Sequence, residues 1–396
     1  MPLNARPRAF APTRALAATV CLVAAALLAI VAIARPAWSQ PASPAVPTAP
    51  KAPAAPVKPT TPAPTTPAVE PAEGVIRFGL EKPLARTPGT IRLATYNIEN
   101  LFDATVDGKP ASANQPLKPR EHREAVAKAI RAVDADVVAL QEIASLETLT
   151  RFRDEYLSGM GYDHIVSPDA GDERGIENAV LSRFPLKDPT LWIHKELGGQ
   201  QPARLGRDNN PDAGKPFVFK RSPLRVTVEV PASKVADLLG TKPASDAKPY
   251  LLTLFVVHHK SGRASADNEW RTREAEGTIA LVKEHERTLN GANIIVLGDF
   301  NAEPTDAPVQ AYAKAGLVSA FKDGSKEDPR VVTHASQRII DHILMNTNAQ
   351  GEFVPESRFV LGTPNRPLNV DWRTTPSPKG YASDHAPVVV DLRPRD

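Results

Sequence analysis

Six apolar stretches of this chain end in side chains able to bind cations or move protons. "IIVLGDFN" runs from Ile294 to Leu297 and then presents Asp299 and Asn301, two positions apart. "RLATYNIEN" ends with Asn97 and Glu99 at the same spacing, and "DVVALQEI" ends with Gln141 and Glu142. "LFVVHHK" ends with His258, His259 and Lys260. Asp341 lies inside "RIIDHIL", and Asp384 and His385 immediately precede "APVVV". Side chains alternate along a strand, so Asp299 and Asn301 are expected to share a face, as are Asn97 and Glu99. Any single ending reads as a solvated turn, because Gly, Asp, Asn and Pro are turn formers. Their recurrence points instead to one site, assembled at a sheet edge from distant segments.

The residue types narrow the chemistry. Carboxylates and amides suit a hard cation, Mg²⁺ or Mn²⁺, held by one or two carboxylates with water and a substrate phosphate. Histidines beside carboxylates suit proton transfer and stabilisation of developing charge near neutral pH. Together they point to metal-assisted hydrolysis of a phosphate ester. A Ser–His–Asp hydrolase built on Ser383, Asp384 and His385 fails, since adjacent residues cannot line up as nucleophile, base and orienter. No G-x-S-x-G elbow is present. His258-His259 and Asp341-His342 lack the spacing of zinc hydrolases, which leaves zinc a weak option.

These endings need strands to carry them. Runs rich in β-branched residues at 91–98, 135–143, 177–183, 224–230, 250–259, 292–300, 338–346 and 385–392 read as strands. Helical periodicity covers 119–133, with Ala125, Ala129, Ile130 and Val133 on one face, and 268–289, with Trp270, Ala275, Ile279 and Val282. Strands outnumber helices and several connections are too short for helical crossovers, so an α/β domain with mixed sheets is expected. A Gly- and Pro-rich interval, 195–216, reads as a long loop of the lid, binding or mobile kind.

Everything upstream reads differently. Arg6, Arg8 and Arg14 precede an unbroken small-and-apolar stretch, 15–34, followed by "AWSQ". That is the layout of a secretory signal peptide over 1–39. The stretch is also just long enough to span a bilayer, which leaves an N-terminal membrane anchor open. The small residues Ala37 and Ser39 favour cleavage; either way the remainder is exported, to be periplasmic, secreted or anchored facing outward. Residues 40–73 are nearly all Pro, Ala, Thr and Val and read as an extended spacer with no core to bury. Folding is thus expected from 74 to 396 as one large domain. The four arginines before the cleavage point, Arg35 included, account for the basic balance: without them the formal net charge falls from +3 to −1. The basic pI is therefore no argument for nucleic-acid binding. The one cysteine, Cys21, lies in the apolar stretch, which excludes disulfides, zinc–thiolate sites and a cysteine nucleophile from the folded part.

The succession "TYNIENLF", "LQEI", "GIENAVLSRFPL", "VVHHKS", "VLGDFNAEP", "RIIDHIL" and "SDHAPV" resembles the endonuclease/exonuclease/phosphatase superfamily. The superfamily includes deoxyribonucleases, abasic-site endonucleases, inositol-polyphosphate phosphatases and bacterial sphingomyelinases. The motifs keep the family's order across the folded region. The resemblance implies a four-layer sandwich, two mixed β-sheets packed face to face with helices outside. It also implies roles. Glu142 matches the principal metal carboxylate, with Glu99 and Asp384 as further metal-side acids. Asn97 and Asn301 match amides at the scissile phosphate. Asp299 matches the aspartate that orients the attacking water, and His258 the histidine that stabilises the phosphoryl group or leaving group. His385 matches the catalytic histidine, oriented by Asp341. Asn178 lies in a stretch that often lines the phosphate pocket, although a loop-satisfying amide reads equally well. His258 and His259 are adjacent; the spacing to Lys260 and Ser261 favours His258. His122, His164, His194, His285 and His334 read as surface or structural, and Lys260 as a solvated strand end.

Substrate stays open at this level, because one constellation serves nucleic acids, phospholipids and inositol phosphates in this superfamily. Export favours a nuclease acting on extracellular DNA or RNA, with Lys215, Lys220, Arg221 and Arg225 as a candidate phosphate track. A sphingomyelinase-like enzyme would need an exposed aromatic hairpin, which only Phe217 and Phe219 suggest. A non-catalytic surface module would have lost metal or histidine positions, and none is lost. No protein partner is implied, and a monomer is expected.

Overall fold

The strands Val137–Ile143 and Asn293–Asp299 each carry an apolar run of four residues and are buried at nearly every position, and each sits at the centre of a sheet covered on both faces. A computed structural model describes residues 75–103, 116–205 and 208–395. The expected signal or anchor and the Pro/Ala/Thr spacer lie outside the described residues. No helix among the described residues is long and apolar enough to cross a membrane.

Two six-stranded mixed sheets carry the domain. The first runs, edge to edge, through Phe353–Val360, Val388–Leu392, Ile91–Leu101, Val137–Ile143, Glu177–Ser182 and His164–Val166. The second runs through Val318–Ser319, Asp341–Met345, Asn293–Asp299, Tyr250–His258, Leu224–Val230 and Leu186–Thr190. Each has one parallel pair at its centre, Ile91–Leu101 with Val137–Ile143 and Tyr250–His258 with Asn293–Asp299. The neighbours of these pairs run antiparallel.

Period-two alternation sorts the side chains into layers. Leu93, Ala139 and Val388 of the first sheet meet Val228, Leu254 and Leu297 of the second in one buried core. Tyr96, Val138 and Leu140 point the other way, onto Val126, Ile130 and Phe152 of the helices Arg120–Val133 and Leu146–Tyr156. Ile294 and Val296 likewise pack on Ala275, Val282 and Tyr312 of the helices Ser265–Thr288 and Ala307–Lys314. The result is the expected sandwich, helix–sheet–sheet–helix. Each fully buried aliphatic side chain contributes roughly 1.5–3 kcal/mol of transfer free energy, so the double-faced strands hold most of the stability.

The expected helix at 268–289 begins earlier, at Ser265, where Asp267 Oδ2 accepts from Ala264 N at 3.1 Å. Leu146–Tyr156 is a helix the apolar pattern did not mark; Ser145 caps it by accepting from Thr148 N at 3.1 Å. The expected loop at 195–216 is largely paired. Glu196–Gln200 runs antiparallel to Pro216–Val218, and Arg204–Leu205 to Asp208–Asn209. Phe217 packs edge-on against Trp270 at 5.2 Å, which pins this excursion to the long helix. Phe217 and Phe219 are therefore buried, and they form no exposed aromatic hairpin.

Gly298 shows how closely the central strands of the second sheet approach. Its φ is +139°, and a Cβ there would stand 2.0 Å from Val257 O. Only glycine lets Asp299 pair directly opposite His258.

Candidate active site

All the strand ends named above meet at one edge of the sandwich, but the two sheets deliver them by different means. The second sheet keeps its register to the end: His258 lies opposite Asp299, and Asp299 opposite Asp341. In the first sheet the register shifts between Asn97 and Leu101 and again between Gln141 and Ile143. Glu99, Asn100 and Glu142 take left-handed backbone there, with φ of 53°, 51° and 67°. Such bulges re-aim a side chain that strict alternation would send elsewhere. Glu142 consequently leaves the line of its neighbour Gln141, whose amide bonds Thr95 within the sheet.

Asp299 is the hub. Its Oδ2 has Asn97 Nδ2 at 3.1 Å and Asn301 Nδ2 at 3.2 Å. His258 Nε2 stands 3.5 Å and His385 Nε2 3.7 Å from the same oxygen. Asp299 Oδ1 accepts from Asn301 N at 2.8 Å. Asn301 thus reaches Asp299 through a turn with φ of 50°, and not by sharing a strand face. Behind His385, Asp341 Oδ2 lies 2.8 Å from Nδ1. That bond directs the imidazole Nε2 toward Asp299.

The two histidines are held in opposite states. Burial disfavours the charge on His385, but Asp341, Asp299 and Asp384 overcome it and raise its pKa well above the usual value. Burial, then Arg221 and His385, hold His258 well below it. Arg221 is itself buried, donating to the backbone oxygens of His258 and His259 and pairing with Asp172 at 3.1 Å. His259 points away from the cluster, to Tyr312 OH at 3.0 Å, so His258 is the histidine that faces the site.

The acidic side is looser. Glu142 Oε1 lies 3.4 Å from Asn97 Nδ2 and 3.8 Å from His258 Nε2, while Oε2 accepts from Asn100 N at 2.9 Å. Glu99 accepts from Tyr381 OH at 2.8 Å and faces Lys118 Nζ at 3.8 Å. Burial, reinforced by Asp384, pushes the Glu99 carboxyl up to about 7. Burial opposes ionisation of Asp384, but His334, His385 and Lys118 outweigh it and hold that carboxyl below the usual range. Asp384 keeps 39% of its side chain open, enough for water or an ion to reach it.

Oxygen donors dominate this side, with the buried Glu99 carboxyl beside Asp384 and Glu142, so the residues fit a hard divalent cation. Among the described residues two groups bring three ligand atoms within 4.8 Å of one another: His334, Asp384 and His385; and Asp299, Asp341 and His385. Glu142 and Glu99 are in neither group. A wider set of carboxylates suits an ion that keeps waters and shares a substrate phosphate.

Several expectations need correction. Asn178 is buried within its strand, with Nδ2 donating to Ser222 O at 3.1 Å and no hydrogen-bond partner at Oδ1 among the described residues. Lys260 is no solvated strand end; its Nζ meets Asp267 at 2.8 Å. Lys215 pairs with Asp212, Lys220 lies over the Trp270 ring, Arg221 is buried and Arg225 bonds Thr190, so the four form no phosphate track. His334 is not remote from the chemistry: its ring lies edge-on to His385 with centroids 4.6 Å apart. Lys118, Tyr381 and Arg174 also border the cluster and carried no signal, because each is an ordinary residue brought in by a loop.

Comparison of the sequence with family models gives a match to the Endonuclease/Exonuclease/phosphatase family over residues 94–385. No curated protein matches the chain. Solved structures similar to it include the human Nocturnin catalytic domain with bound sulfate, at 16% identity and a TM-score of 0.46, covering 78% of this chain and 95% of that one. A mannosyl-6-phosphatase from Bacteroides thetaiotaomicron gives 18% identity and a TM-score of 0.45, covering 76% and 99%. A 3′ phosphatase from Neisseria, bound to a product DNA hairpin, gives 18% identity and a TM-score of 0.43, with the same coverage. The matched 94–385 span takes in the whole cluster, from Asn97 to His385, and the chain belongs to the endonuclease/exonuclease/phosphatase family.

Proposed function

We propose that the protein is an exported, Mg²⁺- or Mn²⁺-dependent phosphodiesterase that cleaves extracellular nucleic acid as an endonuclease. Members of its family are phosphoesterases, and the site's own geometry supports that activity. The observation that carries the reading is the convergence on one oxygen of Asp299 of two amide donors, Asn97 and Asn301, and two imidazole Nε2 atoms, His258 at 3.5 Å and His385 at 3.7 Å. Donors converging on a carboxylate oxygen are placed equally well for the oxygens of a phosphoryl group.

Asp299 would then aim the attacking water, with its carboxylate fixed by the backbone N–H and amide of Asn301. Asn97 and His258 would meet the phosphoryl oxygens as charge builds on them. His385, kept protonated by Asp341, would hold a proton at Nε2 beside the reacting phosphate. A cation held by Glu142, with Glu99 and Asp384, would supply Lewis-acid polarisation of a phosphate oxygen.

For the substrate, a groove of about 610 Å³ offers Arg263, Arg271, Lys326 and Arg338 beside Glu303, Asp306 and Glu327. It adjoins the centre, because Arg338 Nη2 donates to Asn301 O at 3.2 Å. The groove is of mixed charge, with Arg338 paired to Glu303 at 3.4 Å, and its remaining cations, Arg263 and Lys326, suit a substrate with further phosphates. A second reading, an amphiphilic phosphoester, has one observation of its own. Trp372 is 65% exposed, with Leu368 and Val370 also exposed, on the loop that leads to Asp384 and His385.

The test is a panel of plasmid DNA, single-stranded RNA, sphingomyelin and an inositol polyphosphate, each with Mg²⁺ or Mn²⁺ and with EDTA. Cleavage of a nucleic acid that EDTA stops is the expected result. Turnover of sphingomyelin alone, reduced by Trp372→Ala, would move the assignment to the second reading. N-terminal sequencing of the exported protein, expected to begin near Gln40, checks the export signal.

A further inference from the structure

His334 belongs to none of the motifs that carry the family resemblance, yet the backbone fastens it to the catalytic end. Ala335 N donates to Asp384 O at 2.7 Å, and Ala386 N donates to Thr333 O at 2.8 Å. These bonds make a short antiparallel bridge between His334 and His385. The imidazole therefore has little freedom, and the groups that face its two nitrogens decide what it can do.

Nδ1 of His334 accepts from the backbone N–H of Ser336 at 2.9 Å, with Ser336 Oγ at 2.8 Å from the same atom. A ring nitrogen that accepts a hydrogen bond carries no proton, so the ring's proton resides on Nε2. Nε2 is the atom that faces Asp384 Oδ2, at 3.4 Å. The other oxygen, Asp384 Oδ1, faces His385 Nε2 at 3.9 Å. Coordination of a cation by His334 Nε2 would require the proton to move to Nδ1, against the N–H of Ser336. The compact His334–Asp384–His385 group thus reads as a donor aiming a carboxylate, and not as a two-histidine metal site.

We propose that His334 is a positioning residue: its Nε2–H holds Oδ2 of Asp384 and so fixes the orientation of a carboxylate that would bind the divalent cation. The inference rests on the proposed role of Asp384 at that cation. Groups that orient a metal-binding side chain typically change metal affinity about 10–100-fold when removed. The donor is indifferent to which hard ion is bound, so the effect extends to Mg²⁺ and Mn²⁺ alike. An imidazole ligand would favour Mn²⁺ over Mg²⁺.

The experiment is calorimetric titration of the purified protein with Mg²⁺ and, separately, with Mn²⁺, for wild type, His334→Ala, His334→Gln and His334→Phe. The Gln amide places an N–H donor near the position of Nε2; Phe keeps the ring and removes the donor. Expected is a loss of affinity of about 10-fold or more for both ions in the Ala and Phe variants, with Gln restoring most of it. Unchanged affinity in Ala and Phe would overturn the role while leaving the metal centre intact. So would a loss confined to Mn²⁺, or failure of Gln to restore binding. Should Ala not fold, the Gln–Phe pair still decides. A wild-type protein that binds neither ion would overturn the metal centre itself, a result distinct from the others.

Discussion

The two sheets have nearly the same architecture and end in opposite ways. The second holds regular pairing up to the reactive residues, so His258, Asp299 and Asp341 stand in fixed register on adjacent strands. The first abandons register just before its acids, and Glu99 and Glu142 sit on left-handed backbone. The difference matches the two tasks proposed for them. Directing protons and water needs hydrogen-bond distances repeatable to a fraction of an ångström, which a ladder supplies. Gathering carboxylates around a cation requires side chains to leave their own strands' alternation and turn toward a common point, and bulges do that at a cost in backbone strain.

The largest effects would come from removing His385, which precedes the first sheet's strand Val388–Leu392 but is oriented by Asp341 of the second, and from removing Glu142 of the first. His385→Ala is expected to lower kcat by about 10²–10⁴-fold while Mn²⁺ affinity, read by titration, stays close to wild type. Glu142→Gln is expected to weaken Mn²⁺ binding by about 10–100-fold or more, with kcat recovering in part at high metal. Matching signatures in the two variants would erase the proposed division of labour.

Stability offers a second contrast. Gly298→Ala drives a Cβ into Val257 O and is expected to destabilise the protein by about 3 kcal/mol or more. Glu142→Gly relieves left-handed strain worth roughly 1–2 kcal/mol and gives up the acceptor of Asn100 N, worth about 1 kcal/mol, so melting should stay close to wild type while metal binding weakens. Thermal melts of both variants test the assignment of strain; a fall in both would mean that Glu142 is not strained.

The smallest effect concerns pH. Burial, aided by Asp169 and Asp172, pushes the Glu177 carboxyl up to about 7, although Ala170 N donates to it. The folded state then holds a proton that the unfolded chain releases near 4.5, so this group's stabilisation is complete below that pH and is lost as pH rises toward 7. Glu177→Gln should flatten the decline in melting temperature between pH 5 and pH 8. An identical decline in the variant would mean that another group causes it.

Much of this was legible before the structure. Asp299, Asn301, Asn97, Glu142, His258, Asp341 and His385 all converge as the strand endings suggested, because an apolar run that stops at a polar residue marks where a buried sheet meets solvent. His334 was not legible, since its contact with Asp384 comes from a bridge between segments 50 residues apart. Phe217 and Phe219, flanked by basic residues, only suggest an exposed hairpin; both are buried, with Trp270 of a distant helix covering Phe217. Trp372, the aromatic residue that is exposed, lies in a stretch with no periodicity to draw notice.

Local pattern alone therefore determined an α/β domain with mixed sheets and most members of the site, while the face-to-face sandwich was implied by the family resemblance. Alternation and apolar runs dictate which residues must be buried, and burial leaves few arrangements of sheets and helices. Tertiary structure decided the rest: which of two adjacent histidines faces inward, which cations are already paired, and how bulges turn the acids. Those outcomes depend on partners far away in the chain and on angstrom-scale distances, neither of which a local pattern encodes.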